Sequence, residues 1–375
     1  MSMTLVLTTV FLLYFVFLIV IAWGWLEEPQ KKSADAGPTF SVSVVVALRN
    51  EESSIQALIK DLQLQQYAGR YQVILVNDHS TDASWKIIER AIADDPRFVL
   101  INNAGEGKKK ALATGIAQAE GEIIVTTDGD CRVPHQWLQH LLQPFLSKGT
   151  RLVAAPVVMS TGNLFSRIQA IEFSSLMGTA ISAARLGYPL MCNGANLAFR
   201  KEAFIIVNGY DDDYHIPSGD DEFLMRKIVS RFPKSFCFLK DQQAVVTTIP
   251  QKKMTNLVHQ RLRWAGKWRH NTSPTAKAMA VFIWMVQFAT LTSMMMILIG
   301  TPLPFTYLLA AKGILELVIL FMYARFFSIK FDILSFVILQ IVHPLYVLLI
   351  GGLSHFLTFT WKGRKSRLDA SVASS

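Results

Sequence analysis

Glu122-Ile123-Ile124-Val125-Thr126-Thr127-Asp128-Gly129-Asp130 is a β-branched run that ends in two carboxylates one residue apart. Its first six residues predict a strand, and Gly129 leaves the backbone free to turn at the strand's end. Aspartates so spaced can share one hard divalent cation and still leave coordination positions for a diphosphate. An Asp-x-Asp turn is also a common solvated loop, so the reading depends on what ends the neighbouring strands.

Outward from this run, residues 40 to 249 alternate β-branched stretches with helical periodicity. Ser41 to Leu48 predicts a strand, and Ile55, Leu58, Ile59 and Leu62 then mark one helical face. Tyr71 to Val76 is the next strand, followed by a helix from Asp82, whose carboxylate suits an N-cap. Phe98 to Asn102 and the helix after Gly107 complete the pattern before Glu122. This is the order of a mainly parallel sheet in an α/β domain, where ligands collect beyond the carboxyl ends of the strands. Polar clusters stand at those ends: Arg49-Asn50-Glu51-Glu52, Asn77-Asp78-His79-Ser80-Thr81-Asp82 and Asp128-Gly129-Asp130. No Gly-x-Gly-x-x-Gly follows the first strand, which argues against a dinucleotide-binding enzyme.

The 375 residues are 51% hydrophobic and only 17% charged, with the apolar content concentrated at the two ends. Thr4 to Leu26 carries no charge and has the length of a membrane span; without a basic start or a small-residue cleavage pattern, it reads as a retained anchor. Apolar stretches at about 278–300, 305–327 and 331–360 predict a C-terminal membrane region over 276–361. The last is long for one span and short for two, and His343-Pro344 or Gly351-Gly352 is expected to kink or break it. Lys312 and Glu316 lie four apart, so a helix would pair them within the bundle.

Lys252, Lys253, Arg261, Arg263, Lys267 and Arg269 crowd the approach to the first C-terminal stretch, whereas Thr301-Pro302-Leu303-Pro304 carries no base. That asymmetry puts the central domain in the cytoplasm of a multi-pass protein of the plasma or inner membrane. The basic tail, 362–375, also asks to be inside, yet three crossings would carry it out; a re-entrant last segment would remove the conflict. The net charge of +9 suits anionic headgroups or phosphorylated substrates and requires no nucleic acid. Cys131, Cys192 and Cys237 lack metal-ligand spacing and read as reduced cytosolic thiols. His79, on a loop, and His135 and His140, on a helix, are expected to be structural.

Val44 to Glu52, Val76 to Asp82, Gly107-Lys108-Lys109-Lys110-Ala111-Leu112 and Asp128-Gly129-Asp130 together resemble a family 2 glycosyltransferase of GT-A fold. Asn193 to Arg200, Gly209-Tyr210-Asp211 and Gly219-Asp220-Asp221-Glu222-Phe223-Leu224 continue the resemblance in order. Gln260-Arg261-Leu262-Arg263-Trp264 matches the Gln-x-x-Arg-Trp motif of many membrane-bound members. The resemblance implies a GT-A domain at 38–250 and an amphipathic interface segment at 251–272.

It further implies a nucleotide-diphosphate sugar donor, most often a uridine one, and an inverting transfer to a lipid-linked or glycan acceptor in cell envelope glycan synthesis. Asp78 would contact the base and Glu51 the ribose or base. Lys108 would reach the phosphates, with its lysine neighbours on a solvated face. Asp130 would ligate the metal directly, and Asp128 would touch ribose or metal. All-oxygen ligation suits Mg²⁺ or Mn²⁺. Asp221 would be the base for the acceptor hydroxyl, with Asp220 on the acceptor beside it; adjacent carboxylates facing one pocket would raise each other's proton affinity. Helix capping is the competing reading of that pair. Gln260 and Arg263 would contact the diphosphate and Trp264 the acceptor, while plain membrane anchoring is the alternative for this segment. Residues 161–190 are expected to form a long helix that sets acceptor identity. A processive polysaccharide synthase, a sugar nucleotidyltransferase and a non-catalytic membrane scaffold are the rival readings.

Overall fold

The computed structural model describes residues 3–27, 37–211, 214, 218–266, 273–301, 303–354, 359–361 and 364–366. These fall into two units, one of Glu28–Met159 with Ala183–Ile249, the other of Met1–Glu27, Ser160–Ser182 and Pro250–Ser375. In chain order come α1 (Met3–Leu26), β1 (Val42–Leu48), α2 (Ile55–Gln63), β2 (Tyr71–Asn77), α3 (Ser84–Ile92), β3 (Phe98–Asn102), α4 (Lys108–Ala117) and β4 (Ile123–Thr126). Next are α5 (Trp137–Leu141), β5 (Leu152–Ala154), β6 (Val157–Met159), α6 (Leu164–Arg185), β7 (Leu197–Arg200), α7 (Lys201–Ile206), α8 (Asp220–Arg231), β8 (Phe236–Phe238) and β9 (Val246–Thr248). The last are α9 (Met254–Gly266), α10 (Pro274–Leu298), α11 (Phe305–Phe326), α12 (Ile333–Leu353), β10 (Phe359–Trp361) and β11 (Arg364–Ser366).

The first unit is built on a sheet of order β3-β2-β1-β4-β7-β5-β8. Its first four strands are parallel, as the alternation of strand and helix predicts, with Val42 opposite both Tyr71 and Ile123. β7 runs antiparallel to β4 and β5, and β8 is parallel to β5. The carboxyl ends of β1, β2 and β4 therefore share one edge with the amino end of β7, where Leu197 faces Thr126. Val44, Val45 and Val46 are fully buried, and Ile55, Leu58, Ile59 and Leu62 of α2 are buried on the face their spacing predicts. Each such side chain contributes about 1.5–3 kcal/mol on burial. α4 lies close on the sheet because Gly115 has no side chain; a Cβ there would stand 2.5 Å from Val45 Cγ1.

The reversed half of the sheet is held by polar contacts that hydropathy does not reveal. Trp137 Nε1 donates to Asn196 Oδ1 at 2.9 Å, and Asn196 Nδ2 donates to the carbonyls of Pro156 and Ala244 at 2.8 and 2.7 Å. Asn196 is fully buried, so losing its amide would orphan three groups.

In the second unit α1, α10, α11 and α12 are long and apolar enough to cross a membrane. Tyr14 Oη donates to Glu316 Oε1 (2.6 Å), Lys312 Nζ to Glu316 Oε2 (2.8 Å) and Gln340 Oε1 (3.0 Å), and Gln340 Nε2 to Glu316 Oε2 (2.6 Å). The pair expected from its spacing thus forms, inside a network that joins α1, α11 and α12. The break expected at His343-Pro344 or Gly351-Gly352 does not occur: α12 runs unbroken through both to Leu353. Pro344 is buried there, so packing offsets the hydrogen bond it cannot donate. α9 packs on the last turns of α12, Leu262 against Ile350, and alongside β10. Lys267, Trp268, Arg269, Pro302 and most of the 362–375 tail lie outside the described residues.

Candidate active site

The ends of β1 and β2 lie side by side, Leu48 opposite Asn77, so the polar residues that follow them interlock. Asn50 adopts a left-handed backbone (φ 52°), and its side-chain oxygen accepts from the Thr81 amide at 2.8 Å. Arg49 Nη1 donates to the carbonyls of Asp78 and His79 at 2.9 and 3.0 Å. Glu51 is buried; its amide donates to Ser84 Oγ at 2.7 Å and its Oε2 accepts from Ser54 Oγ at 3.2 Å. Asp78 is 2% exposed, and its Oδ1 accepts from Asn103 Nδ2 at 2.8 Å and the Gly107 amide at 3.0 Å. One oxygen of Asp78 thus fixes the loop that leads into α4 and aims Lys108. Asp82 accepts from the amide of Ser84, the first residue of α3, at 3.0 Å and from the Glu52 amide at 3.1 Å.

Across the same edge, β4 runs into the Asp128 turn, closed by the Cys131 amide donating to the Asp128 carbonyl at 3.1 Å. Gly129 must be glycine for space, since a Cβ would stand 2.9 Å from Glu51 Cγ. Glu51 therefore lies against the turn that carries Asp128 and Asp130, both half-buried. Thr126 Oγ1 donates to the Gly194 carbonyl at 2.6 Å, tying the turn before β7 to the end of β4. α8 begins after Gly219, whose φ of 84° only glycine adopts readily, with Asp220, Asp221 and Glu222 in its first turn. Asp221 Oδ2 accepts from the Gly194 amide at 2.9 Å and its Oδ1 from the Glu222 amide at 2.7 Å. Lys108 closes the group: its Nζ stands 2.7 Å from Asp128 Oδ1 and 3.3 Å from Asp220 Oδ2.

Burial pushes the Lys108 ammonium down, but Asp128, Asp220 and Asp221 outweigh it and hold it above the ordinary lysine value. Burial likewise pushes Asp220 up, yet Lys108 and Lys109 outweigh burial and leave Asp220 below the ordinary aspartate value. The expected mutual raising of Asp220 and Asp221 therefore does not hold for Asp220, because lysines sit closer to its charge than the sequence order implies. The expected solvated face for the other lysines holds for Lys110 only. Lys109 is 5% exposed, with its ammonium 5.0 Å from the centre of the Phe223 ring.

Asp78, Glu51, Asp128, Asp130, Lys108, Asp220 and Asp221 are thus gathered at one sheet edge. Gly194 belongs with them, holding Asp221 by its amide; sequence reasoning assigns it no role, and its missing side chain is the only signal of one. Gln260, Arg263 and Trp264 lie in the other unit, on α9. His79 Nε2 meets the Gly105 carbonyl at 2.8 Å and His140 Nδ1 pairs with Asp241 at 2.8 Å, both tying loops as expected. His135 precedes α5 instead of lying on it, because the turn after Pro134 delays the helix to Trp137.

Asp128 and Asp130 supply oxygen donors from one turn, and Asp128 already holds a cationic ammonium. Among the described residues no three His, Cys, Asp or Glu side chains converge as a ready-made metal cage. This donor set fits a hard divalent ion that takes its remaining ligands from a bound diphosphate and water.

Residues 43–206 match the family model Glycosyl transferase family 2. The chain is 31% identical over 28% of its length to undecaprenyl-phosphate 4-deoxy-4-formamido-L-arabinose transferase of Pseudomonas fluorescens, and 24% identical over 64% to an N-acetylglucosaminyltransferase of Neorhizobium galegae. It spans 32% and 57% of those relatives' own lengths. Its fold is similar to that of the mannosyltransferase PcManGT from Pyrobaculum calidifontis, solved with GDP-Man and Mn²⁺, with a TM-score of 0.61 over 92% of this chain and 96% of that one at 20% identity. The segment 43–206 thus carries the match to glycosyl transferase family 2, and it lies within a domain of the GT-A fold.

Proposed function

We propose that this protein moves a sugar from a nucleotide-diphosphate donor, with uracil as the base, to a lipid phosphate in the membrane, inverting the anomeric carbon in one displacement. The observation that carries the reading is the Lys108 ammonium set between Asp128 and Asp220, with Asp221 fixed beside them by the Gly194 amide. Asp78 and Glu51, buried at the adjoining strand ends, offer carboxylate acceptors for a base N–H and ribose hydroxyls. Lys108 faces the negative charge that grows on the leaving diphosphate. Asp221, held by two backbone N–H groups, takes the one proton that a lipid-phosphate monoanion still carries, so that its oxygen attacks as the dianion. Asp220, kept ionised by Lys108, stands beside the acceptor and holds that ammonium for its phosphate. Mg²⁺ or Mn²⁺ held by Asp130 and Asp128 would offset charge on the diphosphate. Gln260 and Arg263 supply further polar contacts to the donor and Trp264 an aromatic platform for the acceptor.

The relative that acts on undecaprenyl phosphate supports a polyprenyl phosphate acceptor and a place in cell envelope glycan synthesis. The basic residues around α9 support a domain on the cytoplasmic face of the plasma membrane. β10 alongside α9 supports a tail on that same side.

The test is a panel of radiolabelled nucleotide sugars offered to the purified full chain in vesicles that contain undecaprenyl phosphate. Release of nucleoside diphosphate with labelled lipid, both lost in Asp130→Ala, is the expected result. Pyrophosphate release would instead indicate a nucleotidyltransferase, long chains on single molecules a processive synthase, and no metal-dependent turnover a scaffold.

A further inference from the structure

Gln260 and Trp264 share α9 with Arg261, a residue their motif leaves unspecified. Arg261 is 4% exposed, and its guanidinium is engaged at both terminal nitrogens and on one face. Nη1 donates to Gln260 Oε1 at 3.1 Å, Nη2 donates to Glu172 Oε2 on α6, and the guanidinium carbon stands 4.2 Å from the centre of the Trp264 ring. Phe173, next to Glu172 in sequence, brings its own ring to 5.7 Å from that of Trp264, tilted by 32°. Two neighbouring residues of α6 thus grip two members of α9, while Leu262, next to Arg261, packs on Ile350 of α12.

We infer that Glu172 and Arg261 are a positioning pair for Gln260 and Trp264, an inference that rests on the donor and acceptor roles proposed for those two residues. Arginine carries donors only, so the Gln260 atom that faces it must be the carbonyl oxygen. The amide N–H groups of Gln260 are then the end turned to an acceptor such as a phosphate oxygen. The stacked guanidinium holds the plane of the Trp264 ring, as a planar cation does and an ammonium does not. Glu172 neutralises the buried charge and sets the guanidinium's rotation. Lysine at 261 would keep the charge and lose both the fork and the stack. The long α6 helix, expected from sequence to set acceptor identity, acquires a definite role here, since Glu172 and Phe173 fix what α9 presents.

The experiment is a double-mutant cycle on the full chain in undecaprenyl phosphate vesicles, with the panel donor that wild type turns over fastest. Arg261→Lys and Glu172→Gln are each expected to lower transfer about tenfold, with the acceptor KM rising more than the donor KM and the unfolding temperature little changed. In a Trp264→Leu background, Arg261→Lys is expected to cost clearly less than in wild type, because one of the two groups through which it acts is already removed. Full additivity in the cycle, or transfer within twofold of wild type in both single variants, overturns the inference. Glu172→Gln is nearly isosteric and carries the test where Arg261→Lys fails to fold. Wild-type transfer that Asp130→Ala abolishes and these variants leave untouched removes the positioning pair alone; no transfer by wild type removes the proposed function with it.

Discussion

Replacing Lys108 by Met keeps the side-chain stem and deletes the one ammonium that stands between Asp128 and Asp220. At 2.7 Å and an effective dielectric constant of about 20, the nearer pair alone is worth about 6 kcal/mol of direct attraction. Desolvation of both partners cancels much of that, and removing one member of a buried pair costs about 3–5 kcal/mol in net stability. The Lys108 side chain is 21% exposed, so the lower end, about 3 kcal/mol, applies. The sign of the pH effect follows from what remains. Without the ammonium, the buried Asp220 carboxylate binds its proton more tightly, so the variant is destabilised above that new value and relieved below it. Urea unfolding of the full chain in vesicles, followed at pH 5 and pH 8, should show a larger deficit at pH 8, and Lys108→Arg should recover most of it. A deficit under about 0.5 kcal/mol, equal at both pH values, would refute an electrostatic clasp at this position.

Gly194→Ala should lower transfer at least about tenfold with a modest loss of stability, because its Cβ would stand 2.9 Å from Asp220 Oδ2 and 3.5 Å from Lys108 Nζ and displace the clasp; steady-state kinetics beside a melting curve separate the two effects. Asp221→Asn should lower transfer to the lipid most below about pH 6, where the acceptor phosphate keeps its second proton, while donor binding, read by calorimetry, changes less than about threefold. In wild type, Asp220 is held below its ordinary value, so its contribution to stability is present above about pH 4 and is lost as pH falls through the lower folded value. Lys108 is held above its ordinary value, so its contribution is complete below about pH 10.5 and fades only as pH rises through the higher folded value. A stability profile that falls between pH 5 and pH 9 would contradict both directions.

What was legible in the sequence followed from period and position. Alternation placed β1 to β4 in a parallel sheet, and the polar residues after Leu48, Asn77 and Thr126 had to meet because parallel strands put their carboxyl ends on one edge. The long apolar runs gave the long helices for a related reason, since a span of lipid demands about twenty predominantly apolar residues whatever else the chain does. The other half of the sheet was not legible. β5, β7 and β8 are three or four residues each, too short for a period, and nothing local states that β7 runs backwards. That reversal brings Asn193 to Asn196 to the edge where β4 ends, and so sets the Gly194 amide against Asp221.

The charges were the least predictable part, for a physical reason. Spacing along a chain says which carboxylates are neighbours, and Asp220 beside Asp221 reads as two like charges driving each other's proton affinity up. The folded arrangement inserts Lys108 from a helix more than a hundred positions earlier, and the sign of the effect on Asp220 reverses. Lys109, one position on, turns to the Phe223 ring because a helix rotates successive side chains by about 100°. A three-lysine run therefore divides by geometry into a clasp at Lys108, a buried stem at Lys109 and a solvated charge at Lys110. The same rule works in α9, where Gln260 and Trp264 lie four residues apart on one face and Arg261 reaches both by its length. In both places the residue that organises the site stands beside the motif residues, and it is recognisable only once the helix that meets it is known.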